Sequence, residues 1–166
     1  GLVIQPGALG DCILTLPLVY FMKKELKLGS VDFLGHTDYI SIFSGRTPVN
    51  SIISIDAMEL HRLFTDKSTF DIPDKDPLIN AFSGYSWIIS FLGEPNSDFE
   101  ENLIFTVNCC QSAEIEILRL KPDENEKQHI SEFYIQQLIA SKAMPEKSTY
   151  FDKTKPLIAA DYQDSR

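Results

Sequence analysis

The sequence predicts an α/β domain in which a mostly parallel sheet carries helices on both faces. Three observations predict it. Short apolar runs of strand length alternate with helical stretches about five times along the chain. The first run ends in Pro6, Gly7, Ala8, Leu9, Gly10 and Asp11, a glycine-bearing turn that opens directly into an apolar helix. The run at 86–92 is apolar at nearly every position, which suits a strand covered on both faces.

Each element follows from local chemistry. Residues 2–5 are apolar and stopped by Pro6 and Gly7, giving a first strand. The next helix is expected over about 12–28, because Lys23, Lys24 and Lys27 sit where the macrodipole favours cations and Gly29 supplies a stop. Pro17 inside it predicts a kink or a loosened first turn. Residues 31–34 read as a second strand, 38–44 as a short helix halted by Gly45, 52–55 as a third strand and 57–64 as helical. The polar stretch 65–77, with Pro73, Pro77 and four aspartates, reads as a long surface connection. Strand 86–92 ends at Gly93. Ser97 with Glu100 forms a capping box, and Phe99, Leu103 and Val107 then recur every four residues. A fifth strand is expected at 115–120, a helix at about 129–140 striped by Ile130, Phe133, Tyr134 and Leu138, and a last short strand at 157–160.

The totals exclude several roles. A formal charge of −9 opposes nucleic acid or anionic lipid as a partner, since such polyanions are held by clustered Lys and Arg. The longest apolar stretch, 12–22, is interrupted by Thr15 and Pro17 and ends in lysines, short of the ~20 residues of a transmembrane segment. Cys12, Cys109 and Cys110 have neither zinc-site nor disulfide spacing, which fits reduced thiols in a cytoplasmic protein. No leader is apparent, and because the chain opens on Gly a short N-terminal piece is expected to be missing. No metal site is expected, and Asp71, Asp74 and Asp76 read as a solvated loop. His61 and His129 read as helix-surface groups, Trp87 as core, and the Cys109–Cys110 pair as a helix end.

Ligands of such sheets bind beyond the C-terminal strand ends. That selects the loop at 6–11, Gly35 with His36, Asp56, and the loop at 93–98. The first loop lacks both the G-x-G-x-x-G spacing and the Lys-Ser/Thr ending of a phosphate loop. A carboxylate at a helix N-terminus would repel a phosphate there. Asp11 can accept a proton from a hydroxyl, or it can simply be the N-cap of the helix. Residue chemistry leaves both open.

The run from Gly7 to Pro17, GALGDCILTLP, resembles the opening of the family 9 glycosyltransferases, the ADP-heptose:lipopolysaccharide heptosyltransferase group, whose first loop reads small-x-GD before an apolar helix with T-x-P. Residues 31–34, 49–56 and 129–134 resemble that family's second and third strands and a late helix opening with His. The resemblance implies the N-terminal half of a GT-B fold, with a Rossmann-like acceptor-side domain at 1–155 and, at 156–166, the start of a linker or second-domain strand. It implies that Asp11 is the general base, deprotonating an acceptor hydroxyl that attacks a nucleotide-activated heptose with inversion and without a metal. Gly7, Ala8, Leu9, Gly10, His36 and Gly93 would lie on the acceptor side. The chain itself would hold no cofactor. The implied partners are a sugar or glycolipid acceptor of lipopolysaccharide type, an ADP-heptose-type donor and a C-terminal donor-binding domain absent from this sequence. The implied location is cytoplasmic, peripheral at the inner membrane, and the isolated chain would be inactive.

Two departures accompany the match. Residues 156–160 are not followed by the family's His-Pro-Gly turn, and the loop at 93–98 has no Lys or Arg to meet acceptor phosphates. The competing reading is a Rossmann-like binding or assembly module without catalysis. A third, a small flavodoxin-like nucleotide binder, is opposed by Asp11.

Overall fold

A computed structural model describes residues 1–123 and 128–142. Five strands, β1 (Leu2–Ile4), β2 (Asp32–Gly35), β3 (Ile52–Ser54), β4 (Trp87–Ser90) and β5 (Glu114–Ile117), form one sheet in the order β3-β2-β1-β4-β5. Every pairing is parallel, with Val3 opposite Phe33 on one side and Ile89 on the other. The chain runs outward from β1 in both directions, so the strand order reverses between β1 and β4. In sheets of this kind the crevice for ligands opens at that reversal, beyond the carboxyl ends of the two strands.

The pleat divides the core. Val3, Phe33 and Ile89 point to one face, where they pack with Leu16 and Val19 of α1 (Leu9–Glu25) and Leu138 of α5 (Ile130–Ser141). Leu2, Ile4, Leu34 and Ile88 point to the other, against Phe82 of α3 (Pro77–Phe82) and Phe99 and Leu103 of α4 (Asp98–Asn108). Side chains alternate across a strand with period two, so a continuous apolar run buries both faces. The expected parallel, doubly covered sheet is the one observed. Among the described residues no helix is long and apolar enough to cross a membrane.

Several boundaries differ from expectation, each for a local reason. α1 starts at Leu9, not near residue 12, with Ala8 as its N-cap, so Asp11 is the third helical residue and not the cap. The helix runs unbroken through Pro17 and ends at Glu25, where Lys27 with φ +55° takes the left-handed position expected of Gly29. The stretch 38–44 is α2 (Thr37–Ile40) followed by a 3₁₀ turn, and 57–64 is two 3₁₀ segments, Ile55–Ala57 and Leu60–Phe64, in place of a helix. β5 ends at Ile117, short of residue 120.

The surface connection at 65–77 is anchored at both ends. Asp76 caps α3 by accepting from the Leu78 amide at 3.0 Å, and its carboxylate, 5% exposed, also accepts from Arg62 Nη1 at 3.0 Å and Nη2 at 2.6 Å. It is thus a buried ion-pair member and not part of a solvated loop. The Arg62 guanidinium holds its carboxyl below the usual carboxylate range. Asn102 of α4 donates to the carbonyls of Leu63 and Thr65 at 3.0 and 2.7 Å. The capping box at α4 is rearranged: Ser97 Oγ donates to the Glu94 carbonyl at 2.6 Å, while Glu100 accepts from the Asn96 amide at 2.6 Å. His129 is exposed, as expected, but also caps α5, its Nδ1 accepting from the Ser131 amide at 3.3 Å. The expected strand at 157–160 and the boundary at 155 lie outside the described residues.

Candidate functional site

The crevice is built on the end of β1. Gln5 is fully buried, and its side chain spans the turn: Oε1 accepts from the Gly7 amide at 3.0 Å, and Nε2 donates to Thr15 Oγ1 at 3.0 Å. Thr15 Oγ1 in turn donates to the Asp11 carbonyl at 2.8 Å. A buried amide thus fastens the loop to the first turns of α1, because its polar atoms need partners once out of water. The half-buried Asp11 side chain folds back over this loop, Oδ2 accepting from the Ala8 amide at 3.2 Å. With alanine at the N-cap, this bond between the N3 carboxylate and the N-cap amide is the half of a capping box that remains, since alanine has no side-chain acceptor for the first-turn amides.

Gly7 is required by contact. A Cβ built on it would stand 2.6 Å from Asp11 Oδ2 and 2.7 Å from Asp11 Cβ. Ala8, Leu9 and Gly10 are exposed around the helix start, with open space beside Gly10. Cys12 is buried behind the loop, its Sγ 3.5 Å from the Gly7 carbonyl, and burial together with the Asp11 charge pushes its thiol up to about 11. It is a thiol at neutral pH and no nucleophile. Burial and the same Asp11 charge push the Tyr134 phenol up to about 12. Tyr134 packs its ring 4.5 Å from that of Phe91 and donates to the Leu120 carbonyl at 3.2 Å, which ties α5 to the segments after β4 and β5.

At the end of β2, Gly35 lets the chain pass close to β1, since a Cβ there would lie 2.8 Å from the Gln5 carbonyl oxygen. His36 follows, with Nδ1 3.4 Å from Asp56 Oδ2, so the ends of β2 and β3 share an exposed His–carboxylate pair. On the other side of β1, the turn after β4 is held open by Gly93 at φ +83°. A Cβ on Gly93 would meet the ring of Phe99.

Between this turn and Pro6 lies a cleft of about 530 Å³ whose lining includes Phe64, Leu92, Phe99 and Leu120 together with the polar residues Glu94, Ser97 and Asp98. Of the positions the sequence singles out, Pro6 of the first loop and Gly93, Glu94, Ser97 and Asp98 of the loop at 93–98 line this cleft. Gly7, Ala8 and Asp11 form one hydrogen-bonded unit, Leu9 and Gly10 frame it, and His36 stands with Asp56. Phe64 and Leu120 escape sequence reasoning because they lie outside the selected loops and only the sheet order brings their segments to this cleft. Among the described residues no cluster of His, Cys, Asp and Glu could hold a metal.

No protein-family model and no curated protein matches the chain. Solved structures do. The chain is similar to a glycosyl transferase family 9 protein from Veillonella parvula DSM 2008, with TM-score 0.51 and 14% identity over 89% of this chain and 41% of that one. It is also similar to E. coli heptosyltransferase WaaC with ADP, with TM-score 0.52 and 12% identity over 89% of this chain and 49% of that one. The chain therefore spans half or less of the length of these proteins. What it shares with these GT-B glycosyltransferases at such identity is the fold, a Rossmann-like parallel sheet.

Proposed function

We propose that this chain is the acceptor-side domain of a family 9-type glycosyltransferase, with Asp11 as the base that takes the acceptor's proton. The observation that carries the reading is the placement of Asp11: half-buried on the first turn of α1, at the carboxyl end of β1, beside the point where strand order reverses. The Ala8 amide holds Oδ2, and the bare Cα of Gly7 leaves room for the carboxylate. Oδ1 has no hydrogen-bond partner among the described residues. It is the atom offered to an acceptor hydroxyl, which must come within ~2.6–3.2 Å for proton transfer. Attack by the deprotonated acceptor oxygen on the anomeric carbon forms the new glycosidic bond with inversion and breaks the bond to the nucleoside diphosphate, which leaves. The donor, of ADP-heptose type, belongs to a second domain facing this crevice, and the acceptor is a sugar or glycolipid of lipopolysaccharide type met at the cytoplasmic side of the inner membrane.

A second reading, a binding module without catalysis, is favoured by one observation: the Asp11–Ala8 bond stabilises the helix start whether or not chemistry occurs. Turnover separates them. A protein carrying both domains, given ADP-heptose and oligosaccharide acceptors, is expected to release ADP and raise acceptor mass by one heptose, whereas the 166-residue chain by itself gives no product. ADP release no faster than donor hydrolysis in the two-domain protein favours the module.

A further inference from the structure

We infer that the cleft between Pro6 and the turn after β4 is a subsite for an uncharged sugar ring of the acceptor and discriminates against a phosphorylated one; this rests on the acceptor-side reading above. A sugar ring presents an apolar C–H face and a rim of hydroxyl donors. The cleft offers the complement of both. Phe64 and Leu120 line it while remaining 52% and 38% exposed, an apolar wall still open to a ligand. Phe64 is steadied by Phe99, ring centroids 4.7 Å apart. Glu94 and Asp98 are among the lining, and an ionised carboxylate accepts hydrogen bonds and donates none, which matches hydroxyl donors.

The same arrangement opposes phosphate. In doubly wound folds a phosphate docks on free amides at a helix N-terminus or on Arg and Lys. Among the described residues no cation lines this cleft. The first turn of α4 carries Asp98, Glu100 and Glu101, and Glu100 already accepts from the Asn96 amide. Lys67, which reaches α4, is engaged by Glu101 at 2.7 Å. The α1 N-terminus on the opposite side holds Asp11, bonded to the Ala8 amide. The helix N-termini beside β1 and β4 each carry the chain's own carboxylates in their first turn, and an incoming dianion meets negative charge from α1 and α4 alike.

The test is a binding titration read by amide chemical shifts of the ¹⁵N-labelled chain. Probes are mannose, methyl α-mannopyranoside and mannose 6-phosphate at low ionic strength, where charge repulsion is least screened. The neutral sugars are expected to shift the amides of Gly93, Glu94 and Asp98, with mannose 6-phosphate binding at least about tenfold more weakly. In the double variant Glu94→Gln/Asp98→Asn, the gap between the neutral and the phosphorylated sugar narrows to within about threefold. Phe64→Ala, which is half-exposed and need not disturb the core, weakens the neutral sugars by about tenfold. Mannose 6-phosphate binding as tightly as mannose overturns the proposal, as does the absence of any shift at the cleft with the neutral probes. The readout is independent of turnover. Transfer surviving without the Asp11 carboxylate ends the base assignment and leaves this subsite standing, while a preference for phosphate does the reverse.

Discussion

Alanine at Gly93 meets two independent penalties at the rim of the cleft. The backbone there has φ +83°, a conformation that costs a residue with a Cβ ~1–2 kcal/mol. The new Cβ would also lie far inside contact distance of the ring of Phe99, which is 1% exposed in the core of the second face. Displacing a packed ring of this kind costs ~1–3 kcal/mol. Together these predict about 3 kcal/mol, a large share of the ~5–15 kcal/mol that holds an ordinary domain. For a chain of this size that lowers Tm by about 6–12 °C. Gly84 supplies the internal control, since its φ is +88° but nothing lies within 4 Å of its added Cβ. Gly84→Ala should cost the backbone term alone, about 1–2 kcal/mol. Gly10, helical and with open space around it, should gain up to ~0.5–1 kcal/mol on replacement by alanine. Thermal and urea unfolding followed by circular dichroism measure all three. Gly93→Ala melting within about 2 °C of wild type, or above Gly84→Ala, would refute the argument from the Phe99 contact.

Three further outcomes follow from the same geometry. Gly7→Ala should push the Asp11 carboxylate out of place and cut transfer by about 10- to 100-fold in the two-domain protein, with Tm lowered by only a few degrees, as kinetics and melting on one preparation will show. Asp76→Asn keeps an α3 cap but loses the Arg62 ion pair, at a cost of about 1–3 kcal/mol near neutral pH. Because the Asp76 carboxyl is depressed in the folded chain, its contribution is present above the unfolded value of ~3.9 and is lost as pH falls through the folded value, so the wild-type advantage should narrow below about pH 4 in urea titrations across pH. At pH 8 iodoacetamide should label the exposed Cys109 and Cys110 rapidly and the buried Cys12 only after denaturant is added, as intact mass will record.

The strands were legible because their runs are apolar at successive positions, which leaves one interpretation for residues such as Ile88 and Ile89: a strand covered above and below. Helix starts were less legible. α1 begins behind Ala8, which has no polar side chain to announce a cap, so the sequence pattern places the start near residue 12, three residues late, and leaves Asp11 as a possible cap when it is the third helical residue. α3 has no counterpart among the elements expected from the sequence, where the polar connection ends at Pro77 and nothing is assigned between it and residue 86, although Asp76 followed by Pro77 is the N-cap and first-position signal of a helix. The left-handed residue at the end of α1 is Lys27, where composition pointed to Gly29. The site was legible in part, because Gly7 and Asp11 are close in the chain and their contact is local. The cleft was legible only at the loops that hold Pro6 and Glu94: Phe64 and Leu120 join them through the order of strands, which no local pattern encodes.

The role of Asp11 is decided by one substitution. Asparagine keeps an oxygen that can accept from the Ala8 amide but cannot take a proton, so Asp11→Asn separates a base from a helix-terminal bond. The measurement is kcat for sugar transfer by Asp11→Asn in the two-domain protein, alongside its Tm and acceptor affinity. General-base catalysis is worth typically 10²–10⁴-fold, so the account predicts a rate at or below about a hundredth of wild type, with melting and acceptor binding close to unchanged. A rate above about a tenth of wild type would contradict it and leave Asp11 as a structural residue of the α1 start.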